Sequence, residues 1–200
     1  VVNQTTLTTA NDGTVDYNFS TDTAGTYVID HNASGQVNTT QTYNVDSGSI
    51  SAVSVSSEEN ALRGGASGQD DNLRTGVYRV NVTDSSGNLA NTNEDFQFRV
   101  LVSGQTSELI GLSNDLANDG TGSSATVFQP SDSTVDNSPF ATPTSENTVF
   151  SYNPSNDGTT KGSFFVYVGN DLSEDIDVEI IPRAGFTDIE PNTGTTTFFG

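Results

Sequence analysis

An all-β fold, a jelly-roll or immunoglobulin-like β-sandwich of many short strands with little helix, is what this 200-residue sequence predicts. Three observations carry that reading. Short runs alternate apolar and polar residues with the period of two that half-buried strands require. Asn-Asp-Gly triplets at 11–13, 118–120 and 156–158 supply the positive φ angles of tight turns. A helical pattern occurs only in "SELIGLSNDLA" (107–117), which predicts one short helix.

The expected strands follow in chain order. The first half holds "TVDYNF" (14–19), "GTYVID" (25–30), "TQTYNV" (40–45), "SISAVSVS" (49–56) and "GVYRVNV" (76–82). "DFQFRVLV" (95–102), "ATVFQ" (125–129) and "NTVFSY" (147–152) come next, then "SFFVYV" (163–168), "DIDVEII" (175–181) and "TTTFF" (195–199). Each is short, and most are flanked on at least one side by Gly, Pro, Asn, Asp or Ser, as strands of a sandwich are. In "GSFFVYVGNDLSEDIDVEI" (162–180) the second run sets Ile176, Val178 and Ile180 against Asp175, Asp177 and Glu179. That acidic ladder reads as the solvated face of a half-buried strand. The first run is apolar on both faces, with Phe164, Val166 and Val168 on one and Phe165 and Tyr167 on the other. Something must cover its second face, either another layer of the same chain or a neighbouring chain.

Two polar stretches, "RGGASGQDDNLR" (63–74) and "TDSSGNLANTNED" (83–95), interrupt the strand pattern, and 113–147 is loop-rich. The chain therefore divides near residue 94, into an N-terminal β region (1–94) and a β-sandwich (95–200). A single decorated sandwich is the alternative.

Charge constrains the setting. Twenty-six acids face six bases, for a formal net charge of −20. Self-repulsion on this scale opposes compaction in dilute salt, and molar salt screens it by shrinking the Debye length to about 3 Å. With Lys161 its only lysine, the chain resembles haloarchaeal proteins in composition. The periodic placement of aromatic and β-branched residues argues against an acidic disordered chain. Nucleic acid is excluded as a partner, because phosphate binding needs a basic face. No apolar run exceeds about six residues, too few for a membrane-spanning helix. The chain opens on Val1 and lacks methionine, which reads as a processed mature chain or a fragment. Cysteine is absent, so disulfides, thiolate metal sites and cysteine nucleophiles are ruled out.

Nothing composes a catalytic site. The single histidine, His31, ends a strand, and the motifs of serine hydrolases, zinc proteases and phosphate loops are missing. The chain is read as a non-enzyme without a cofactor. Structural calcium is the one cation hypothesis, because hard cations take oxygen ligands from Asp, Asn and loop carbonyls. Its candidates are Asp70 and Asp71 in "GQDDN" and Asp12 and Asp16 in "NDGTVD". "NDLSEDID" (170–177) offers more carboxylates, but none of these loops has EF-hand spacing. N-x-S/T sequons at Asn3, Asn18, Asn32, Asn38 and Asn81 mark where glycans would sit on an exported chain.

Two stretches, "FQFRVLVSGQTSELIGLSND" (96–115) and the hairpin 162–180, resemble the TasA/camelysin-like group of secreted fibre and matrix proteins, including small haloarchaeal exported relatives. The shared features are an alternating strand followed by a small-aliphatic turn, and an aromatic strand, acidic turn and alternating Val/Ile strand. The resemblance covers 95–200, and residues 1–94 depart from the small relatives. It implies an extracellular or cell-surface jelly-roll subunit that polymerises with copies of itself by donor-strand complementation into a pilus-like or matrix filament. "VVNQTTL" (1–7) is polar and extended enough to donate, which makes Val1, Val2 and Leu7 assembly residues, beside Phe165 and Tyr167. A frayed terminus is the plain alternative for 1–7. A surface-layer or virion decoration protein is a rival reading. A carbohydrate-binding or adhesive module is a third, with glycans as partners.

Overall fold

The computed structural model describes residues 5–32, 38–63, 74–105, 107–113, 140–141, 149–157 and 161–198. Its strands are β1 (Gly25–His31), β2 (Thr39–Val45), β3 (Ala52–Arg63), β4 (Arg74–Thr83), β5 (Phe96–Val102) and β6 (Glu108–Ser113). They continue with β7 (Phe140–Ala141), β8 (Phe150–Tyr152), β9 (Ser163–Asn170), β10 (Asp175–Arg183) and β11 (Asn192–Thr197). Every strand pair is antiparallel. A five-stranded sheet in the order β11-β10-β5-β8-β7 packs on a four-stranded sheet in the order β3-β4-β9-β6, and β1 and β2 form a ribbon of their own. The fold is the all-β sandwich that the alternating pattern predicts. Among the described residues no helix is long and apolar enough to cross a membrane.

Period-two patterning builds the core directly. β4 turns Tyr78, Val80 and Val82 inward and β9 turns Phe164, Val166 and Val168 inward. Phe96 and Phe98 of β5 and Ile176, Val178 and Ile180 of β10 meet them from the other sheet. Fully burying one such side chain contributes about 1.5–3 kcal/mol, so this interlayer set supplies the main driving force for folding. The Phe98 ring lies 5.2 Å from that of Phe164 across the layers. Tyr78 donates its hydroxyl to the Ile176 carbonyl at 2.7 Å, and burial pushes its pKa up to about 12. At one side the layers nearly join: the Val55 amide donates to Asn192 Oδ1 at 2.8 Å and the Thr196 hydroxyl to Ser57 at 2.7 Å. Gly194 permits this approach, since a Cβ there would stand 2.8 Å from the Val55 side chain.

Four expectations need correction. Of the segment read as a helix (107–117), residues 108–113 form strand β6, with Leu112 inward and Gly111 next to an irregularity in its register with β9, and 114–117 lie outside the described residues. "TVDYNF" (14–19) joins no ladder among the described residues. The division near residue 94 cuts through a single sheet, because β3 and β4 complete the sheet that β6 and β9 build from the later half. The last correction concerns Phe165 and Tyr167, which are each only 6% exposed in the isolated chain. No neighbouring chain is needed to cover them. Arg79, opposite Phe165 on β4, lays its guanidinium 4.9 Å above that ring and is held there by Glu58. β9 lies between β4 and β6 and is buried along its whole length, which is why it reads apolar on both faces.

The acidic ladder of β10 is solvent-facing, as its alternation predicts. Thr195 and Thr197 of β11 donate their hydroxyls to Asp177 at 2.6 Å and Asp175 at 2.7 Å. The expected strand 125–129 lies outside the described residues.

Candidate assembly surface

The N-terminal arm is shaped first by its turn. Gly13, at φ 81°, donates its N–H to the Ala10 carbonyl at 2.9 Å, and Ala10 donates to Thr14 at 2.7 Å. Asp12 accepts from the Thr14 hydroxyl at 2.7 Å and the Thr14 amide at 3.0 Å. Those bonds hold its carboxyl below the usual range, the hydroxyl contributing most. The chain leaves this turn with Val15, Tyr17 and Phe19 at alternate positions, and all three are exposed, Val15 by 48% and Tyr17 by 49%. Tyr17 and its two alternate neighbours would share one face of a strand, with Asp16 and Asn18 on the other.

The ribbon continues from the arm. Phe19 packs on Tyr27 with ring centroids 4.9 Å apart, and the Tyr27 hydroxyl donates to the Thr23 carbonyl at 2.7 Å. Register places Gly25 opposite Val45, Tyr27 opposite Tyr43, Ile29 opposite Gln41 and His31 opposite Thr39, a face that is apolar towards its Val45 end and polar towards His31. The opposite face pairs Thr26 with Asn44, Val28 with Thr42 and Asp30 with Thr40. Val28 and Tyr43 are exposed on these two faces, and no third strand joins the ribbon among the described residues. A two-stranded ribbon alone is only marginally stable in water.

A clasp in the connection between β4 and β5 anchors the base of the ribbon. Asp84 is 6% exposed and accepts four hydrogen bonds. The amides of Ser86 and Asn88 donate to one carboxylate oxygen at 2.9 Å each. The Gly48 amide at 2.8 Å and the Asn88 side-chain amide at 2.9 Å donate to the other. The carboxyl is held at about 2, by the Asn88 side chain first and the Gly48 amide second, against the opposing effect of burial. Asn88 also donates to the Asp22 carbonyl at 2.8 Å and accepts from the Ala24 amide at 3.2 Å. Asn91 exchanges bonds with Ser47, and Glu94 accepts from the Ile50 amide at 3.0 Å. Sequence reading treated 83–95 as an interruption and missed this node; "DSSGN" is the signal, since Asp at such a position bonds its own turn's amides.

The remaining sequence-derived candidates scatter. Asp12 and Asp16 are exposed on the arm, and Asp70 and Asp71 lie outside the described residues. Among the described residues no three His, Cys, Asp or Glu side chains come together as a metal site. His31 ends β1, exposed, in register with Thr39. Asn18, Asn32 and Asn38 are exposed on the arm and around the ribbon's tip. Asn81 is half-buried within β4, in register with Ser54 and Ser163, and Asn3 lies outside the described residues. Val1 and Val2 also lie outside them, while Leu7 is 45% exposed. Leu7 and the arm are thus exposed, and the other assembly pair, Phe165 and Tyr167, is buried elsewhere.

No protein-family model and no curated protein matches the chain. Among solved structures it is similar to a glycosyl hydrolase family 2 member from Bacteroides cellulosilyticus, at 15% identity and a TM-score of 0.46. That match covers 88% of this chain and 18% of the other. A β-glucuronidase from glycoside hydrolase family 2 matches at 16% identity and TM-score 0.45, over 88% of this chain and 14% of that one. A β-glycosidase from Bacteroides vulgatus matches at 12% identity and TM-score 0.42, over 87% and 17%. The chain thus spans less than a fifth of each of these structures.

Proposed function

We propose that the chain is a non-catalytic structural subunit, displayed outside a halophilic cell, that assembles with copies of itself into a filament through its N-terminal segment. One observation carries this reading: among the described residues, 5–32 and 38–45 join neither large sheet and form an arm outside any ladder and a two-stranded ribbon, each presenting exposed apolar side chains. Unpaired strand groups template another chain, and strand addition satisfies them while burying alternate side chains. When arm and acceptor are different surfaces, the contact is heterologous and propagates as an open filament. The net charge of −20 suits screening by brine, the medium in which like chains can approach.

Electron microscopy in molar NaCl tests the reading on the intact chain and on one lacking residues 1–24. Filaments from the first and folded monomers from the second are expected. Filaments of undiminished length from the truncated chain would overturn it.

A further inference from the structure

Among the described residues no strand pairs with the outer edge of β2, and that edge has no guards. Exposed edge strands are ordinarily blunted by lysine, proline, a bulge or an inward charge. β2 reads TTQTYNV: seven residues with no charge, no proline and no glycine, in unbroken register with β1 and exposed over its first six positions. On a chain of net charge −20, β2 itself carries no acid, and the acid of its partner strand, Asp30, accepts from the Thr40 hydroxyl at 2.8 Å.

We propose that the outer edge of β2 receives residues 14–19 of a second copy of this chain. The inference rests on the self-assembly reading and names its acceptor. Charge selects the partner: a basic protein would be drawn to the acidic faces, whereas a like chain is repelled there and tolerated at an uncharged edge. The arm has the matching composition, since Asp16 is its only charge and alternation puts that side chain opposite Val15, Tyr17 and Phe19. Six residues of arm fit seven of β2, and the two apolar faces coincide in one pairing parity alone. Val15, Tyr17 and Phe19 then extend the face of Tyr27, Tyr43 and Val45, while Asp16 and Asn18 join the face of Thr40, Thr42 and Asn44. A slip of one residue would turn the apolar side chains of the arm to the polar face, so register is specified.

The cysteine-free chain makes a clean test by disulfide trapping. Asn18→Cys chains are mixed in molar salt with Thr40→Cys, Thr42→Cys or Asn44→Cys chains, oxidised, and resolved on non-reducing gels. A mixed dimer is expected with at least one of the three. Gln41→Cys, on the opposite face, is expected to give none. Cross-linking of Thr42→Cys chains to themselves in place of the mixed dimer would overturn the arm as occupant. Filaments that form without any mixed cross-link would overturn β2 as acceptor and leave self-assembly standing. Absence of any association by the unsubstituted chain would overturn both.

Discussion

Asp84 shows how one carboxylate organises a chain junction. It gathers donors from Gly48, Ser86 and Asn88, and Asn88 carries the connection on to Asp22 and Ala24. Asp84→Asn puts a donor where a charged acceptor was, facing the Gly48 and Asn88 donors. The base of the ribbon should loosen, read as faster hydrogen exchange at Gly48, Ser86 and Asn88, while β4 and β9 keep their protection. The pH dependence has a definite sign. The folded carboxyl titrates at about 2, below the ~3.9 of an unfolded aspartate. Its contribution is therefore complete above the unfolded value and is lost as pH falls through the folded one. The difference in melting temperature between the native chain and Asp84→Asn should be constant near neutrality and shrink from about pH 4 towards pH 2. A difference unchanged over that range would remove the carboxylate charge from the explanation.

Strand β9 is the element whose sequence most overstates its need for a partner. Its outer face, Phe165 and Tyr167, is as closed to solvent as many core positions, with Arg79 stacked on Phe165. Replacing both aromatics by serine should empty a packed region at about 3–5 kcal/mol for each, comparable to the whole stability of many domains. Circular dichroism melts in molar salt should show a chain that is unfolded or barely folded. A cooperatively folded monomer, deficient only in assembly, would instead return these residues to an interface. Strand β6 teaches the complementary lesson. "ELIGLS" has apolar residues at 109, 110 and 112, which fit a helical turn as well as a strand. A short run of this kind has no period strong enough to decide between them, and pairing with β9 decided it.

At the scale of the whole molecule, charge repulsion opposes folding by an amount that salt controls. Twenty-six acids in a chain of 200 residues repel one another over the Debye length, which grows from about 3 Å in molar salt to about 30 Å at 10 mM. The native sheets should melt cooperatively in molar NaCl and lose cooperativity, or expand, on dialysis to about 10 mM. An unchanged, fully cooperative melt at the lower salt, followed by circular dichroism, would detach the acidic surface from any adaptation to brine.

The sequence by itself determined most of the described strands, the inward residues of those strands and the solvated acidic ladder. Those follow from a local rule, since side chains two apart share a face whatever the strand pairs with. Ile176, Val178 and Ile180 could be assigned to a core, and Asp175, Asp177 and Glu179 to water, from their order alone. The Asn11–Gly13 turn was equally legible, because the conformation its glycine adopts is local too. Tertiary structure decided what depends on distant segments. It joined β4 to β9 across the division near residue 94, and among the described residues left 14–19 outside every ladder although its alternation is as clean as that of β4. It buried Phe165 and Tyr167 without a second chain, and drew Asp84 to Gly48. Periodicity specifies which face of a strand is apolar. What covers that face is settled by contacts between residues far apart in the chain, whose net free energy no single segment encodes.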